Sequence, residues 1–553
     1  MAVISTLAKS IQPALILKSF FTVLSTYLLY KTYLYPTFLS PLRRVPGPPT
    51  TSKNNKYHIP LLGHFLDLLR EEPGKTYRDW IDQYGGIVAY RGLFNAPQIV
   101  LGDPKAIQHV FLTHADEYHK PERAIRLLSQ VVGKGVLLVE GDVHRKQRKM
   151  LNPAFSHKHI KEMVSTMAIP AEMLGRMWEE RVDMSEDGCV EFDVARDLGS
   201  CTLDIIGRAG FGYDFQALTI PDNELSHAYR QLFVSASPVI QVLRLFVPFY
   251  VDIPFKHNRI RKQSARTIDR VTTRIIQEKR TQIVEGKGLG VEGDGKDLMS
   301  ILMRANEQVG TLDDGKLTDT ELKAQIMTFM AAGHETTSAT VTWMLHVFST
   351  HPRVQQKVRQ ELLDHIGLPT TSETETNNCP LSYDTLNTLP YLNACVKELL
   401  RFIPPVPTTS RVATHDDIIL GYDIPKGTQV ILSAAALHKL KSVYGDDAEE
   451  FKPERWMDPS LFSEEEKESI KFVTPDMTWA YVPFLTGPRN CIGSKFATIE
   501  TKILLYYLLI NLEYAPVPGF KFSKSPRVTM KPYPGMRLIV KRVQHEAPVV
   551  VEA

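Results

Sequence analysis

The sequence predicts a mainly α protein with small β-sheets at its margins and an apolar helix ahead of it, and three observations carry this expectation. Apolar residues recur at helical spacing over most of the stretch from Ala106 to Glu398. Short β-prone runs, Ile87–Tyr90, Gln98–Leu101, Ile418–Leu420 and Val430–Ser433, lie near the two ends of the globular part. The run from Ala14 to Tyr35 is apolar and aromatic apart from Lys18, Lys31 and a few hydroxyls. Helices in the middle with small sheets at the margins make one mainly α domain.

Taken in order, residues 1–13 form a short tail and residues 14–35 a predicted transmembrane anchor. About 20 residues of helix cross a hydrocarbon core, so the length suffices. Lys18 is a cost that a long side chain offsets by reaching for the interface. No small-residue cleavage site closes the run, which argues against a removed signal peptide. Lys31, Arg43, Arg44, Lys53 and Lys56 lie in or after the run and only Lys9 before it. The positive-inside rule then keeps the rest of the chain cytoplasmic, on a single-pass anchor. The alternative is a buried or interfacial amphipathic helix. Residues 36–56 include Val45-Pro46-Gly47-Pro48-Pro49, where successive prolines predict a stiff, extended hinge.

Residues 57–553 show no internal repeat and no linker, so they are expected to form one catalytic domain. Glu285 to Lys296 is Gly-rich and charged, a surface loop. It holds Gly288-x-Gly290-x-x-Gly293, but the residues before it are helical in period rather than a strand. A dinucleotide fingerprint needs that strand, so the match is accidental.

Composition excludes several classes. Of 553 residues, 43% are hydrophobic and 23% charged, which argues against long disorder. A net charge of +3 is too mild to imply a nucleic-acid partner. The 5 cysteines are odd in number, widely spaced and without a C-x-x-C pair, so neither a disulfide framework nor a structural zinc site is expected.

One cysteine stands apart. Phe484-Leu485-Thr486-Gly487-Pro488-Arg489-Asn490-Cys491-Ile492-Gly493 reads as a tight loop, and an amphipathic helix follows from Ser494 to Ile510. A thiol at a helix N-terminus beside an arginine has its thiolate stabilised, making it a nucleophile or a metal ligand. The blander reading, a small buried hydrophobe, fits most cysteines but not this setting. The segment fits F-x-x-G-x-R-x-C-x-G, and here the sequence resembles the cytochrome P-450 family.

That resemblance implies a haem-thiolate fold with haem b as cofactor and Cys491 as its axial ligand. It implies further that Arg489 meets a propionate, that Gly487 and Gly493 let the loop approach the porphyrin, and that Phe484 lies beside the ligand. A thiolate pushes electron density onto iron and favours O–O cleavage.

Three further segments occur in the family's order. Thr318-Asp319-Thr320-Glu321 is a capping box, and the periodic run after it continues to about Thr350, before His351-Pro352. Near its middle, Ala332-Gly333-His334-Glu335-Thr336-Thr337 places a glycine and two hydroxyls where they weaken a helix. By resemblance, Glu335 and Thr336 form the acid–alcohol pair that relays protons on the distal side. Glu398 and Arg401 share a helix face, and Arg455 follows in Pro453-Glu454-Arg455-Trp456. These three are expected to form a buried, structural network. Arg148 in Gly141–Arg148 matches a propionate-contacting position, with His144 standing where tryptophan is frequent. Arg411 and His438 also match propionate-contacting positions.

The resemblance is to the microsomal, eukaryotic type, and the run from Gly141 to Phe155 looks fungal. That implies an endoplasmic reticulum membrane location with the catalytic domain facing the cytosol. Electrons would come from NADPH through a cytochrome P-450 reductase, with cytochrome b5 as a second partner. Arg145, Lys146, Lys149, Lys495 and Lys502 would form a basic docking face. Variable segments, residues 124–138, 229–254, 324–333, 405–409 and the region of Met530, would line a pocket for a lipophilic small molecule. A terpenoid or polyketide intermediate of secondary metabolism is the expectation. Two rival functions remain at this stage. One is a reductase-independent haem-thiolate isomerase or peroxygenase, against which Glu335 and Thr336 speak. The other is a non-catalytic, membrane-tethered binding protein.

Overall fold

A computed structural model describes residues 13–49, 61–220, 223–232, 240, 243–244, 247, 249–284, 296–308, 316–369, 381–526 and 528–545. The chain divides into two compact units, residues 1–119 with 408–437 and residues 120–407 with 438–553. The Gly-rich match at Gly288–Gly293 lies outside the described residues. The fold is mainly helical with small sheets.

In the first unit, an α-helix of 17 residues, Pro13–Leu29, passes directly into a π-helix of 10, Tyr30–Leu39. Large apolar side chains from Leu17 to Leu39 are exposed along it. No helix among the described residues is long and apolar enough to cross a membrane. The hinge, expected as a stiff, extended spacer, is described over residues 36–49, and residues 50–56 lie outside the described residues. Leu42 and Val45 are buried, and the Pro46 carbonyl accepts the Ala89 N–H at 2.8 Å. A side chain at Gly47 would collide with the Ala89 carbonyl, so the glycine is what lets the hinge lie on that strand.

That strand, Ile87–Arg91, opens a five-stranded sheet that continues through Pro97–Leu101, Gln429–Leu432, Thr409–Ala413 and Tyr118–His119. Pairing is antiparallel except between Gln98–Val100 and Gln429–Ile431. A hairpin, Asp417–Ile419 with Tyr422–Ile424, turns at Leu420-Gly421, both at positive φ. Each predicted β-prone run lands on a strand within one residue, because alternating or continuous β-branched residues are a local signal.

The second unit is built on the helix Asp319–Thr350, called here the central helix. Thr318 Oγ1 accepts the Glu321 N–H at 3.2 Å and Glu321 Oε2 accepts the Thr318 N–H at 2.9 Å, completing the predicted capping box. Its other end stops at His351, where Pro352 begins the next helix. Helices Val194–Ile205 and Ser494–Leu509 pack against it, leaving most of its length buried. A three-stranded sheet, Cys189–Asp193, Arg537–Arg542 and Leu512–Pro516, and a hairpin, Ser523–Pro526 with Met530–Tyr533, complete this unit.

Candidate active site

The loop from Phe484 to Gly493 owes its shape to backbone bonds. Cys491 N–H donates to Phe484 O at 2.8 Å and Asn490 N–H to Gly487 O at 3.1 Å. Gly487 sits at φ +71°, a left-handed conformation glycine adopts without strain. Arg148, on the helix Gly141–Leu151, clamps the residue before the cysteine, donating to Asn490 O at 2.7 Å and Asn490 Oδ1 at 2.8 Å.

Burial pushes the Cys491 thiol up, while the Gly493 N–H and the Arg148 guanidinium pull it back. The cysteine is nevertheless accessible. Gly493 opens the helix Ser494–Leu509, and a side chain there would touch only Phe155 at 3.8 Å.

The central helix is accessible at one stretch of its length. Ala332 is exposed and Thr336, one turn on, is half-exposed, though neighbours along the helix are buried. The Thr336 hydroxyl donates to Ala332 O at 2.9 Å, a back-bond that competes with the helix ladder. Its oxygen lone pairs are left to accept. Glu335 is buried, with Oε2 at 2.6 Å from Lys531 Nζ.

The predicted pocket segments of this unit converge on the central helix. Val136 N–H donates to Gln325 Oε1 at 2.8 Å, and Thr328 Oγ1 donates to Val132 O at 3.2 Å. The Tyr229 and His334 rings meet edge-on at 4.8 Å. Met530 N–H reaches Pro405 O at 2.8 Å, and Met530 O accepts the Trp343 indole N–H at 2.8 Å. Much of residues 233–248 lies outside the described residues.

The cationic residues divide. Arg489 donates to Val139 O at 2.7 Å and pairs with the Glu140 carboxylate. His144 is buried on the same helix as Arg148. In the first unit, Arg411 is buried against the Phe111 ring and donates only to neighbours, Thr409 Oγ1 at 3.1 Å and Ser410 O at 2.9 Å. Burial alone takes its pKa down to about 10, and no carboxylate among the described residues pairs with it.

His438 differs from expectation. Its Nε2 accepts the Val482 N–H at 2.9 Å and its Nδ1 lies 3.2 Å from Leu400 O, a carbonyl that can only accept. One neutral tautomer satisfies both, and burial with Arg401 alongside lowers the pKa to about 3. No N–H remains for a propionate, so the side chain is a core link rather than a cofactor contact. Lys502 is also displaced from its predicted role. It is buried, bonded to Asn387 Oδ1 at 2.6 Å and lowered to about 8 by burial, so it belongs to the core and not to a docking face. It falls inside the helix Ser494–Leu509, on the side that packs inward.

The structural network is complete. Glu398 accepts two bonds from Arg401, at 2.8 Å each, one from Arg455 Nε at 3.0 Å, one from Lys452 N–H at 2.8 Å and one from the Trp456 indole at 2.8 Å. Sequence reasoning missed a second buried acid. Glu500 accepts the Thr337 hydroxyl at 3.0 Å, its other oxygen is unpartnered, and burial raises its pKa to about 8. It links the helix after Cys491 to the central helix, and only a carboxylate on an otherwise apolar face could have flagged it.

A haem needs an open sulfur, an open distal surface and cations for two carboxylates. Within the second unit, the accessible Cys491, the exposed surface at Ala332 and Thr336, and the guanidiniums of Arg148 and Arg489 meet those needs in kind. The residues therefore fit the cofactor. No cluster of three or more His, Cys, Asp or Glu that could hold a bare metal ion occurs among the described residues.

Comparison with known proteins agrees. A family model described as Cytochrome P450 matches residues 54–539. Cytochrome P450 monooxygenase 205 of Postia placenta is 32% identical over 89% of this chain and 90% of its own. Cytochrome P450 monooxygenase sphH of Aspergillus fumigatus is 32% identical over 93% and 89%, and monooxygenase FUM15 of Gibberella moniliformis 31% over 90% and 87%.

Proposed function

Because this chain belongs to the cytochrome P450 family, as a monooxygenase and so an oxidoreductase, we propose that it inserts one oxygen atom of O2 into a lipophilic small molecule of fungal secondary metabolism, such as a terpenoid. The observation that carries this reading is the presence, within one unit, of an accessible cysteine and an accessible stretch of the central helix bearing Glu335 and Thr336. When bound through Cys491, haem b supplies the oxygen-activating chemistry.

The chain's own residues bind, orient and move protons. Gly493 N–H and Arg148 favour the anionic sulfur. Arg489 and Arg148 are the cations of this unit offered to the propionates, with His144 beside Arg148 on its helix. Thr336 keeps its hydroxyl lone pairs free to accept, and Glu335 is the neighbouring acid that replenishes its proton. Apolar accessible residues on three expected pocket segments, Leu137, Val406 and Val528, support a lipophilic substrate.

Electrons are proposed to come from NADPH through a cytochrome P-450 reductase, with cytochrome b5 as an auxiliary donor. Arg145, Lys149 and Lys495 are exposed, and with Lys146 they offer a basic face to an acidic partner. The proposed location is the endoplasmic reticulum membrane, the catalytic part facing the cytosol. The exposed apolar side chains from Leu17 to Leu39 support it. Deleting residues 1–39 is expected to shift the protein from the microsomal pellet to the supernatant, and retention in the pellet would count against the anchor.

The reading is tested by turnover of full-length protein with NADPH and reductase, with peroxide alone, and with neither. Product is expected only in the first, and Thr336→Ala should divert about tenfold more reducing equivalents to hydrogen peroxide. Equal turnover with peroxide would make this a peroxygenase, and turnover with neither an isomerase.

A further inference from the structure

The acid of the central helix is held by a strand almost two hundred residues later in the chain. Glu335 Oε2 lies 2.6 Å from Lys531 Nζ and accepts the Thr529 hydroxyl at 3.3 Å. Thr529, in the bend just before the strand Met530–Tyr533, and Lys531, within it, both reach the same carboxylate oxygen. The backbone between them is pinned on two sides, Met530 N–H to Pro405 O and Met530 O to the Trp343 indole, each at 2.8 Å. Trp343 lies on the same helix as Glu335, so the strand's position along that helix is fixed.

The other oxygen, Oε1, faces His334 Nε2 at 3.4 Å. His334 Nδ1 lies 3.0 Å from Met330 O and must carry the proton of that bond. The Tyr229 ring stacks edge-on against His334 and its phenol senses the Glu335 charge. Lys531, His334 and Tyr229 are thus the titratable groups around this carboxylate. Of the acid and its amine, Glu335 is buried while the Lys531 side chain is 26% exposed.

We propose that Thr529 and Lys531 form a clamp that positions Glu335, holding it as an oriented carboxylate at the inner end of a route whose outer end, at Lys531, meets solvent. The proposal rests on the reading of Glu335 as the distal acid. Lys531 is a positioning residue, since it acts through Glu335.

The charge balance supports the clamp. Burial works to raise the Glu335 pKa, but the Lys531 ammonium and His334 outweigh it and bring the carboxyl down to about 2. At neutral pH it holds no stored proton. It accepts one from a hydronium or buffer acid arriving from solvent and passes one to the Thr336 side.

The test compares wild type, Lys531→Met, Lys531→Arg and Glu335→Gln as full-length, haem-loaded protein. Product per NADPH and hydrogen peroxide released are measured between about pH 6 and 9. The infrared band of protonated carboxyl groups is recorded on resting, substrate-free protein.

Lys531→Met is expected to raise the peroxide share about tenfold and to make it pH-dependent where wild type is flat. A new protonated-carboxyl band should titrate in the same window and vanish in the Lys531→Met/Glu335→Gln double variant. Lys531→Arg, which keeps the charge, should restore both readouts. If Glu335→Gln uncouples but Lys531→Met matches wild type in coupling and in the infrared, the clamp is wrong and the acid stands. If Glu335→Gln stays coupled, the distal-acid reading falls and the clamp's role with it. Should Lys531→Met fail to fold, Thr529→Val removes one hydroxyl from the same oxygen. It is expected to shift coupling in the same direction by about twofold, and no shift would overturn the proposal.

Discussion

Replacing Cys491 with alanine should leave a folded protein that gives no red-shifted Soret band in the reduced, carbon-monoxide difference spectrum. The fold survives because the loop is held by other groups. Phe484 O holds the Cys491 N–H, Gly487 O the Asn490 N–H, and Arg148 grips Asn490, none of them through sulfur. What is lost is the one atom with both an accessible surface and two groups, Gly493 N–H and Arg148, arranged to favour its anion. Outer-shell changes around a metal typically cost 10- to 100-fold, so removing the ligand should cut reductase-driven turnover by more than about 100-fold. Cys491→His sharpens the comparison. An imidazole can take up the iron but pushes less electron density onto it, so bound haem with little turnover is expected. A variant at Cys491 that keeps both the band and the turnover would refute the ligand assignment.

The largest effect on stability is expected at Glu398. Five donors converge on its two oxygens, and Glu398, Arg401 and Arg455 are all 0% exposed. Among the described residues, Glu398→Gln removes the only carboxylate that either guanidinium contacts at 3.0 Å or less. Breaking a buried ion pair from one side costs about 3–5 kcal/mol, because the remaining charge stays desolvated. Arg401 also donates to the carbonyls of His438, Ala448 and Glu450, so loosening it frees three backbone segments together. The exposed pair Arg176–Glu172 is the control, where Glu172→Gln should cost less than about 1 kcal/mol. Urea denaturation of the two variants beside wild type decides this, and equal midpoints would overturn the network's structural role.

The parts of this molecule that local chemistry decides could be read from the sequence. The capping box at Thr318, the stop at His351-Pro352, the strand runs and the glycine-bracketed loop around Cys491 each depend on residues within a few positions. Glu398 and Arg401 were legible because i,i+3 spacing sets them on one face. Partner choice over long separations was not. Nothing near Lys531 marks it as the counter-ion of Glu335, and nothing near Val482 reveals that its N–H takes up His438. Lys502 reads as surface because lysine usually is, and only packing between helices shows otherwise. The prolines at Pro46–Pro49 say nothing of the sheet this stretch lies on, which is assembled from residues as distant as Gln429.

That docking has a mechanical consequence. A flexible nine-residue tether would let its end wander by roughly 15–18 Å. Here the helical segment is welded instead. Asn95 donates to Thr32 O at 3.0 Å, Arg91 donates to Pro36 O, and Pro46 O takes the Ala89 N–H. Three bonds, at residues 32, 36 and 46, tie the exposed apolar helix to the five-stranded sheet. Whatever surface grips Leu17 to Leu39 therefore sets the tilt and height of that sheet directly, as a mast sets its yard, rather than merely keeping the protein nearby.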